Sequence, residues 1–200
     1  MDAFVKRFGP KLTIGGTAIT TLETMHDFPH GNREHDEKFR PFYFGGRVEA
    51  FQVGRFRGDI KVYDVNSMYP HAMRNFEHPM GQQYIVTEQF TLDVNGDVRG
   101  FKGVPYFIEV EGHNKGALPT RTKDGLDFNL PFGVFQTTGH ELKVALKHGL
   151  FKPTRLIRAH IPQFFGRFQK YVDTFYAEKV ATKKAGDRIG EIFAKLLLNS

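Results

Sequence analysis

Apolar and polar positions along this chain follow two periods. Alternation, the mark of a half-buried strand, predicts strands in FYFGGRVEAFQVG (42–54), DIKVYDV (59–65), QYIVTEQFTLDV (83–94), DVRGF (97–101) and VPYFIEVEG (104–112). Gly58-Asp59 marks a turn before the second of these. Asn95-Gly96, set between alternating segments, is the strongest hairpin signal in the chain. A helical period predicts a helix over 137–149, with Thr138 as N-cap, Glu141 three residues on and Gly149 as the stop. A short helix is expected over 67–75, where Ser67 can cap and Pro70 suits the first turn. Residues 162–200 read as helical, with Phe164, Phe165, Phe168, Val172 and Phe175 at helical spacing and a break at Ala185-Gly186-Asp187.

Between these lie weaker signals. Gly15-Gly16 interrupts the periodicity of LTIGGTAITTL. The polar, turn-rich stretch 26–41 reads as a loop or linker, and 115–133 as loop-like with room for one short strand. No internal repeat or low-complexity tract is present. The tail EIFAKLLLNS stops inside an apolar-periodic segment without a glycine or proline, so the expectation is a piece of a larger protein.

Composition narrows the classes. Of 200 residues, 25% are charged and 40% hydrophobic, which fits a globular chain of one or two small domains. There are 21 phenylalanines and no cysteine, so a disulfide framework and thiolate metal sites are excluded. Apolar runs are too short to span a bilayer, and the start, MDAFVKRFGPKL, has no apolar signal core. The net charge of +6 favours a polyanionic partner, nucleic acid first, against a merely basic surface.

Three motifs carry candidate chemistry. In the first, Ile60, Val62 and Asp64 share one face of the expected strand. A carboxylate there is costly to bury without a cation. At the strand's end it could instead enter a cleft beside magnesium, which takes one or two carboxylates plus phosphate oxygens. Amides of the following turn, the Ser67 hydroxyl and the Tyr69 ring could then meet a triphosphate. The plainer reading is a capped helix start with a half-buried tyrosine. In the second motif, Arg188, Lys195 and Asn199 fall within one narrow helical arc, beside a separate apolar stripe of Ile189, Ile192, Phe193 and Leu196. Such a row suits phosphates, or it is a solvated face on a core helix. In the third, Tyr43-Phe44-Gly45-Gly46-Arg47 combines close backbone approach with an aromatic and a cation, as single-stranded nucleic acid requires. A tight turn would explain it equally. His26, His30 and His35 lack a frame to hold zinc, and DVNGD (93–97) faintly resembles a calcium loop that a hairpin turn explains.

Together the motifs point to a family. Asp64-Val65-Asn66-Ser67-Met68-Tyr69-Pro70 resembles motif A of family B DNA polymerases, D-x-x-S-[LM]-Y-P. Lys195-Leu196-Leu197-Leu198-Asn199-Ser200 is similar to the start of their motif B, K-x-x-x-N-S-x-Y-G. Tyr43-Phe44-Gly45-Gly46 resembles the Y-x-G-G motif of the protein-primed branch of bacteriophages, viruses and linear organellar plasmids. All three stand in the family's order, and the resemblance covers about residues 10–200. It implies that Asp64 is one of two aspartates holding catalytic magnesium ions, with the Val65 carbonyl on the nucleotide-side metal. Asn66, Ser67 and Met68 would lie along the triphosphate, and Tyr69 under the sugar, excluding a 2′-hydroxyl. Lys195, with Lys183 or Lys184 and Arg188, would meet phosphates, and Asn199 the nascent base pair. Tyr43, Gly45, Gly46 and Arg47 would contact template DNA.

The resemblance implies an α+β fold: a palm-type antiparallel sheet with packed helices, a β-rich insertion and two fingers helices. The expected segments are a linker leaving the exonuclease region (1–41), a first palm segment (42–75), the insertion (76–161) and the fingers (162–200). The implied activity is that of a DNA-directed DNA polymerase, a nucleotidyltransferase of DNA replication working by two-metal phosphoryl transfer. Its partners are template, primer and dNTP, with no membrane; use of a terminal protein is open, as is a viral-host or mitochondrial setting. Two departures stand out. Glu191 occupies a position where some relatives carry lysine. The later D-T-D motif that supplies the second aspartate is absent, so these 200 residues alone are expected not to polymerise. The alternative is a non-catalytic single-stranded-DNA-binding remnant or split-gene product.

Overall fold

The computed structural model describes residues 7–9, 13–26, 33–48, 50 and 52–199. His30 and Ser200 lie outside the described residues. The helices are α1 (Ile14–Met25), α2 (Arg33–Phe39), α3 (Met68–Asn75), α4 (Gly139–Lys147), α5 (Gln169–Lys184) and α6 (Arg188–Asn199). The strands are β1 (His78–Thr87), β2 (Phe107–Asn114), β3 (Thr120–Thr122), β4 (Gly125–Asp127), β5 (Phe132–Thr138) and β6 (Phe151–Gly166). The expected α+β class holds. The chain folds into two compact units interleaved in sequence: Met1–Pro29, Arg55–His78 and Phe165–Ser200 form one, and His30–Gly54 with Pro79–Phe164 the other.

The second unit is built on a sheet of order β1-β6-β2-β5, in which β2 pairs antiparallel with both β5 and β6. Alternation in β2 is complete: Ile108 and Val110 are fully buried with Phe135, Leu142 and Ala159, while Glu109 and Glu111 lie on the other face. Gly112 permits β6 to approach, because a Cβ there would fall against the Lys152 carbonyl and the Phe151 ring. α4 packs on this core and has the expected capping box between Thr138 and Glu141. Gly149 ends it at φ 65°. The Asn95-Gly96 turn forms as expected, with Gly96 at φ 81°, but the flanking hairpin shrinks to a single bridge between Leu92 and Val98. Asp93 takes over from the ladder, accepting from the Asn95 and Asp97 amides at 2.8 and 2.9 Å.

The first unit is helical. Its core joins Ala18 of α1 to Tyr171, Val172 and Phe175 of α5 and to Leu197 and Leu198 of α6. The Tyr171 hydroxyl donates to the Leu197 carbonyl at 2.7 Å, and burial pushes its pKa up to about 12. The expected break between α5 and α6 is present, with Gly186 at φ 71° and the Asp187 carboxylate accepting from the Gly190 amide. Among the described residues no helix is long and apolar enough to cross a membrane.

Several expectations fail for identifiable reasons. Residues 59–65 alternate but form no strand: Ile60 and Val62 are 76% and 89% exposed. A strand's amides and carbonyls need a neighbour's, and no described residue pairs with this run. The described part of 43–54 likewise forms no strand. The helical reading of 162–168 is overturned, because β6 continues to Gly166 as part of the sheet, leaving Phe164 and Phe165 in a strand. The linker 26–41 contains α2 and a 3-10 turn at Arg40–Phe42, where Phe39 and Phe42 pack on Phe107 and His160. Burial of those rings offsets the weak helix propensity around them. Where 115–133 left room for one strand, β3 and β4 form a two-stranded hairpin, and β5 begins at Phe132.

Candidate functional site

In the helical unit, the residues around Asp64 form an exposed turn leading into α3. Asp64 and Val65 both face solvent. Ser67 then adopts φ 52°, ψ 43°, and it is the one non-glycine residue at positive φ among the described residues. This left-handed conformation is strained for an L-residue, by about 1 kcal/mol or more. The expected cap is absent: the Ser67 carbonyl accepts from the His71 amide at 2.9 Å, but its hydroxyl caps nothing. A serine strained into αL cannot place its hydroxyl over the first-turn amides as an extended N-cap does. Helix start and hydroxyl are therefore both open to an anion. Met68 and Tyr69 are more than half exposed, and Pro70 is buried beneath them.

Asn66 and Ser67 line a cavity of about 230 Å³ together with His71 and Arg74 of α3 and Asp173 and Tyr176 of α5. Arg74 and Asp173 close it as a two-pronged ion pair, Nε–Oδ1 2.6 Å and Nη2–Oδ2 3.4 Å. The hydrogen bond and the guanidinium charge hold the Asp173 carboxyl below the usual carboxylate range. Sequence reasoning missed this pair, because 99 residues separate its members and neither belongs to a motif.

The cationic row is divided between the two helices of the hairpin. Lys183 and Lys184 end α5, Arg188 opens α6, and Lys195 and Asn199 follow on α6, all exposed. Arg188 and Lys195 stand about 10 Å apart along the axis. Asn199 donates back to the Lys195 carbonyl at 2.8 Å. None of these residues lines the Asn66–Ser67 cavity. The apolar stripe is corrected: Ile189, Ile192 and Leu196 are 70%, 49% and 38% exposed, and α6 buries Ala194, Leu197 and Leu198 instead. The buried arc is the one opposite that exposed apolar strip, and Arg188 and Lys195 lie between the two.

In the sheet unit, Tyr43-Phe44-Gly45-Gly46-Arg47 is a loop without regular secondary structure, with Tyr43 71% exposed. A Cβ on Gly45 would meet nothing within 4 Å, so the protein itself does not require glycine there and open space adjoins the backbone. The loop borders a cavity of about 580 Å³, shared with Arg40, Arg121 and Gln136. Arg121 was not legible as a site residue; the Lys123-Asp124-Gly125 turn that folds β3 against β4 is the signal that could have found it.

Among the described residues no three His, Asp or Glu side chains gather as a metal site. Asp64 and the Val65 carbonyl nevertheless offer exposed hard oxygen donors of the kind magnesium takes.

A family model described as DNA polymerase type B, organellar and viral, matches residues 6–200. The chain is 46% identical over 200 residues to the DNA-directed DNA polymerase of Enterobacteria phage PRD1, covering 100% of this chain and 34% of that protein. It is 31% identical over 170 residues to a probable DNA polymerase of Neurospora intermedia, covering 79% of this chain and 17% of the relative. Among solved structures, Phi29 DNA polymerase complexed with primer-template DNA matches with a TM-score of 0.68 at 20% identity, over 98% of this chain and 36% of that one. The orthorhombic form of the same enzyme gives 0.69 at 19% identity, over 98% and 37%. The structural likeness carries the fold. The chain spans about a third of the length of its phage relative.

Proposed function

The chain belongs to the type B DNA polymerases of the organellar and viral kind, and from that premise we propose that it carries nucleotide- and template-handling parts of a template-directed DNA polymerase. The whole protein would transfer deoxynucleotides from dNTP to a primer 3′-hydroxyl. The observation that carries this reading is the strained, uncapped turn at Ser67 directly after the exposed Asp64. Strain of this kind collects where a ligand uses the geometry, and here it leaves a hydroxyl and a helix start beside a carboxylate.

Asp64, with the Val65 carbonyl, would hold magnesium; the two-ion site is completed by a second aspartate from outside this chain. Two bound magnesium ions supply charge neutralisation on the phosphates and a more nucleophilic 3′-oxygen. The chain's own residues position the substrate. Asn66, Ser67 and Met68 run along the triphosphate, and the exposed Tyr69 ring forms a floor that excludes a ribose 2′-hydroxyl. Lys183, Lys184, Arg188 and Lys195 offset phosphate charge, and Asn199 borders the nascent base pair. Tyr43, Gly45, Gly46 and Arg47 meet the template strand. In this reading 1–41 leaves the exonuclease region, 42–75 is palm, 76–161 the insertion and 162–200 the fingers. The unpaired apolar run 59–65 would find its partner strands in the remainder of the palm.

Primer extension with Asp64→Ala, in the polymerase that contains this chain, tests the assignment. Magnesium-dependent synthesis should fall at least about a hundredfold while primer-template binding is retained. Synthesis at the wild-type rate would remove Asp64 from the metal site. The 200 residues alone should give no extension product; magnesium-dependent extension by them would refute the need for a second aspartate from outside.

A further inference from the structure

The sheet unit contains a reciprocal pair of arginine contacts that no motif accounts for. Arg121, on β3, donates through Nη2 to the Tyr43 carbonyl at 2.6 Å, and its guanidinium lies 5.5 Å from the centre of the Phe44 ring. Arg47, at the far end of the same loop, donates through Nη1 to the Gly116 carbonyl at 3.0 Å and lies 4.1 Å from the Phe128 ring centre. One arginine thus reaches from the hairpin to the loop and the other from the loop to the hairpin's flanks. Each combines a charge-assisted hydrogen bond with a cation over an aromatic face.

The anchor is itself fixed. Asn114 is buried, its side-chain oxygen accepting from the Ala117 and Leu118 amides at 3.0 and 3.1 Å and its amide donating to the Leu118 and Leu130 carbonyls at 2.9 and 3.3 Å. Gly116 and Phe128, the two groups that receive Arg47, are therefore held on a rigid segment. Among the described residues the Tyr43–Arg47 loop has no strand partner, and at its near end the Tyr43 N–H donates to the Arg40 carbonyl at 3.1 Å. Without the clasps, two adjacent glycines would leave it many conformations.

We infer that Arg121 and Arg47 are positioning residues: the β3–β4 hairpin clasps the Tyr43–Arg47 loop in the conformation that presents Tyr43 and the Gly45-Gly46 backbone to single-stranded DNA. This rests on the proposed DNA role of the loop. In it Arg47 acts on DNA through the loop's shape as well as by charge, and Arg121 without touching DNA. Lysine can replace the charge of either residue but not the planar group that bonds and stacks together.

Two readouts separate the clasp from the DNA role. Limited trypsin digestion, mapped by mass spectrometry, reports whether the loop is held, through the rate of cleavage after Arg47. Arg121→Ala should raise that rate about tenfold and Arg121→Lys part of the way, with cleavage after Arg155 and Arg158 in β6 unchanged as the control for folding. Phe44→Leu, which keeps the hydrogen bond and loses the aromatic face, should also raise it. Fluorescence anisotropy with a labelled oligo-dT then measures binding by the polymerase that contains this chain. Arg121→Ala should weaken binding about tenfold with an unchanged salt slope, and Tyr43→Ala should do the same. Unchanged cleavage in Arg121→Ala, or full restoration by lysine, overturns the clasp. Faster cleavage with unchanged DNA binding, while Tyr43→Ala weakens it, overturns the positioning role alone. If Tyr43→Ala leaves binding intact, the loop's DNA role fails, and the clasp stands or falls on the digestion.

Discussion

Strand β2 and the run 59–65 carry the same pattern and meet opposite fates. FIEVEGHN alternates, pairs on both sides and buries Ile108 and Val110 completely. DIKVYDV alternates as well, yet Ile60 and Val62 stay in solvent. Alternation is therefore a requirement for a partner, and it becomes a strand only where the fold supplies one. β2 has β5 and β6 within reach of the same chain; 59–65 has no neighbour among the described residues.

The largest expected effect tests that contrast directly. Phe135→Ala, opposite Val110 in the sheet core, should destabilise the sheet unit by about 3–5 kcal/mol in urea unfolding. Val62→Ala should change stability by less than about 0.5 kcal/mol. Equal costs would mean that 59–65 is buried against something and that the comparison is false.

The next effect is pH-dependent and belongs to the buried side. His160, on β6 opposite Phe107, is lowered to a pKa of about 4, first by burial among aromatic rings and then by Lys38 and Arg158. Between its ordinary value near 6.5 and about 4, the unfolded chain takes up a proton that the folded one refuses. Stability is therefore full above about pH 6.5, falls as the pH drops toward 4, and levels off below that, a loss of about 3 kcal/mol. Replacing His160 by Phe should flatten that window; an unaltered pH profile would exclude His160 as its source.

Gly112→Ala comes third. The new methyl group has no room between β2 and β6, so thermal melting should show a loss of about 1–3 kcal/mol. An unchanged melt would mean that the strands can move apart freely, contrary to the tight pairing assigned to β2. Smallest is Ser67→Gly in the exposed turn. Relief of the left-handed strain should stabilise the helical unit by less than about 1 kcal/mol. In the full polymerase the same change should raise the KM for dNTP through loss of the hydroxyl. A fall in stability would show that Ser67 makes contacts that the geometry does not reveal.

Much of the local structure was legible. The Thr138–Glu141 box, the Gly149 stop, the Asn95-Gly96 turn and the break at Gly186 rest on chemistry within a few residues, which a sequence displays openly. Motif A and the cationic row were also visible as patterns. The missed features depend on distant residues. Phe164 and Phe165 fit a helix by spacing but complete β6, which runs on past the end of its pairing with β2 in a sheet where its other neighbour is β1. The Ile189–Leu196 stripe fits a core by spacing but stays outside, because Tyr171 and the α1–α5 core meet the opposite arc of α6. The Arg74–Asp173 pair and the arginines that hold the Tyr43–Arg47 loop join positions 69 to 99 residues apart.

By itself the sequence determined the polymerase motifs and the turns and caps that depend on adjacent residues. Only the tertiary structure decided which alternating runs became strands, which face of α6 was buried, and that Ser67 is strained rather than capped. The physical reason is range. Caps and turns are satisfied by neighbours in the chain, whereas strand pairing, helix burial and side-chain clasps are satisfied by whatever the fold brings alongside.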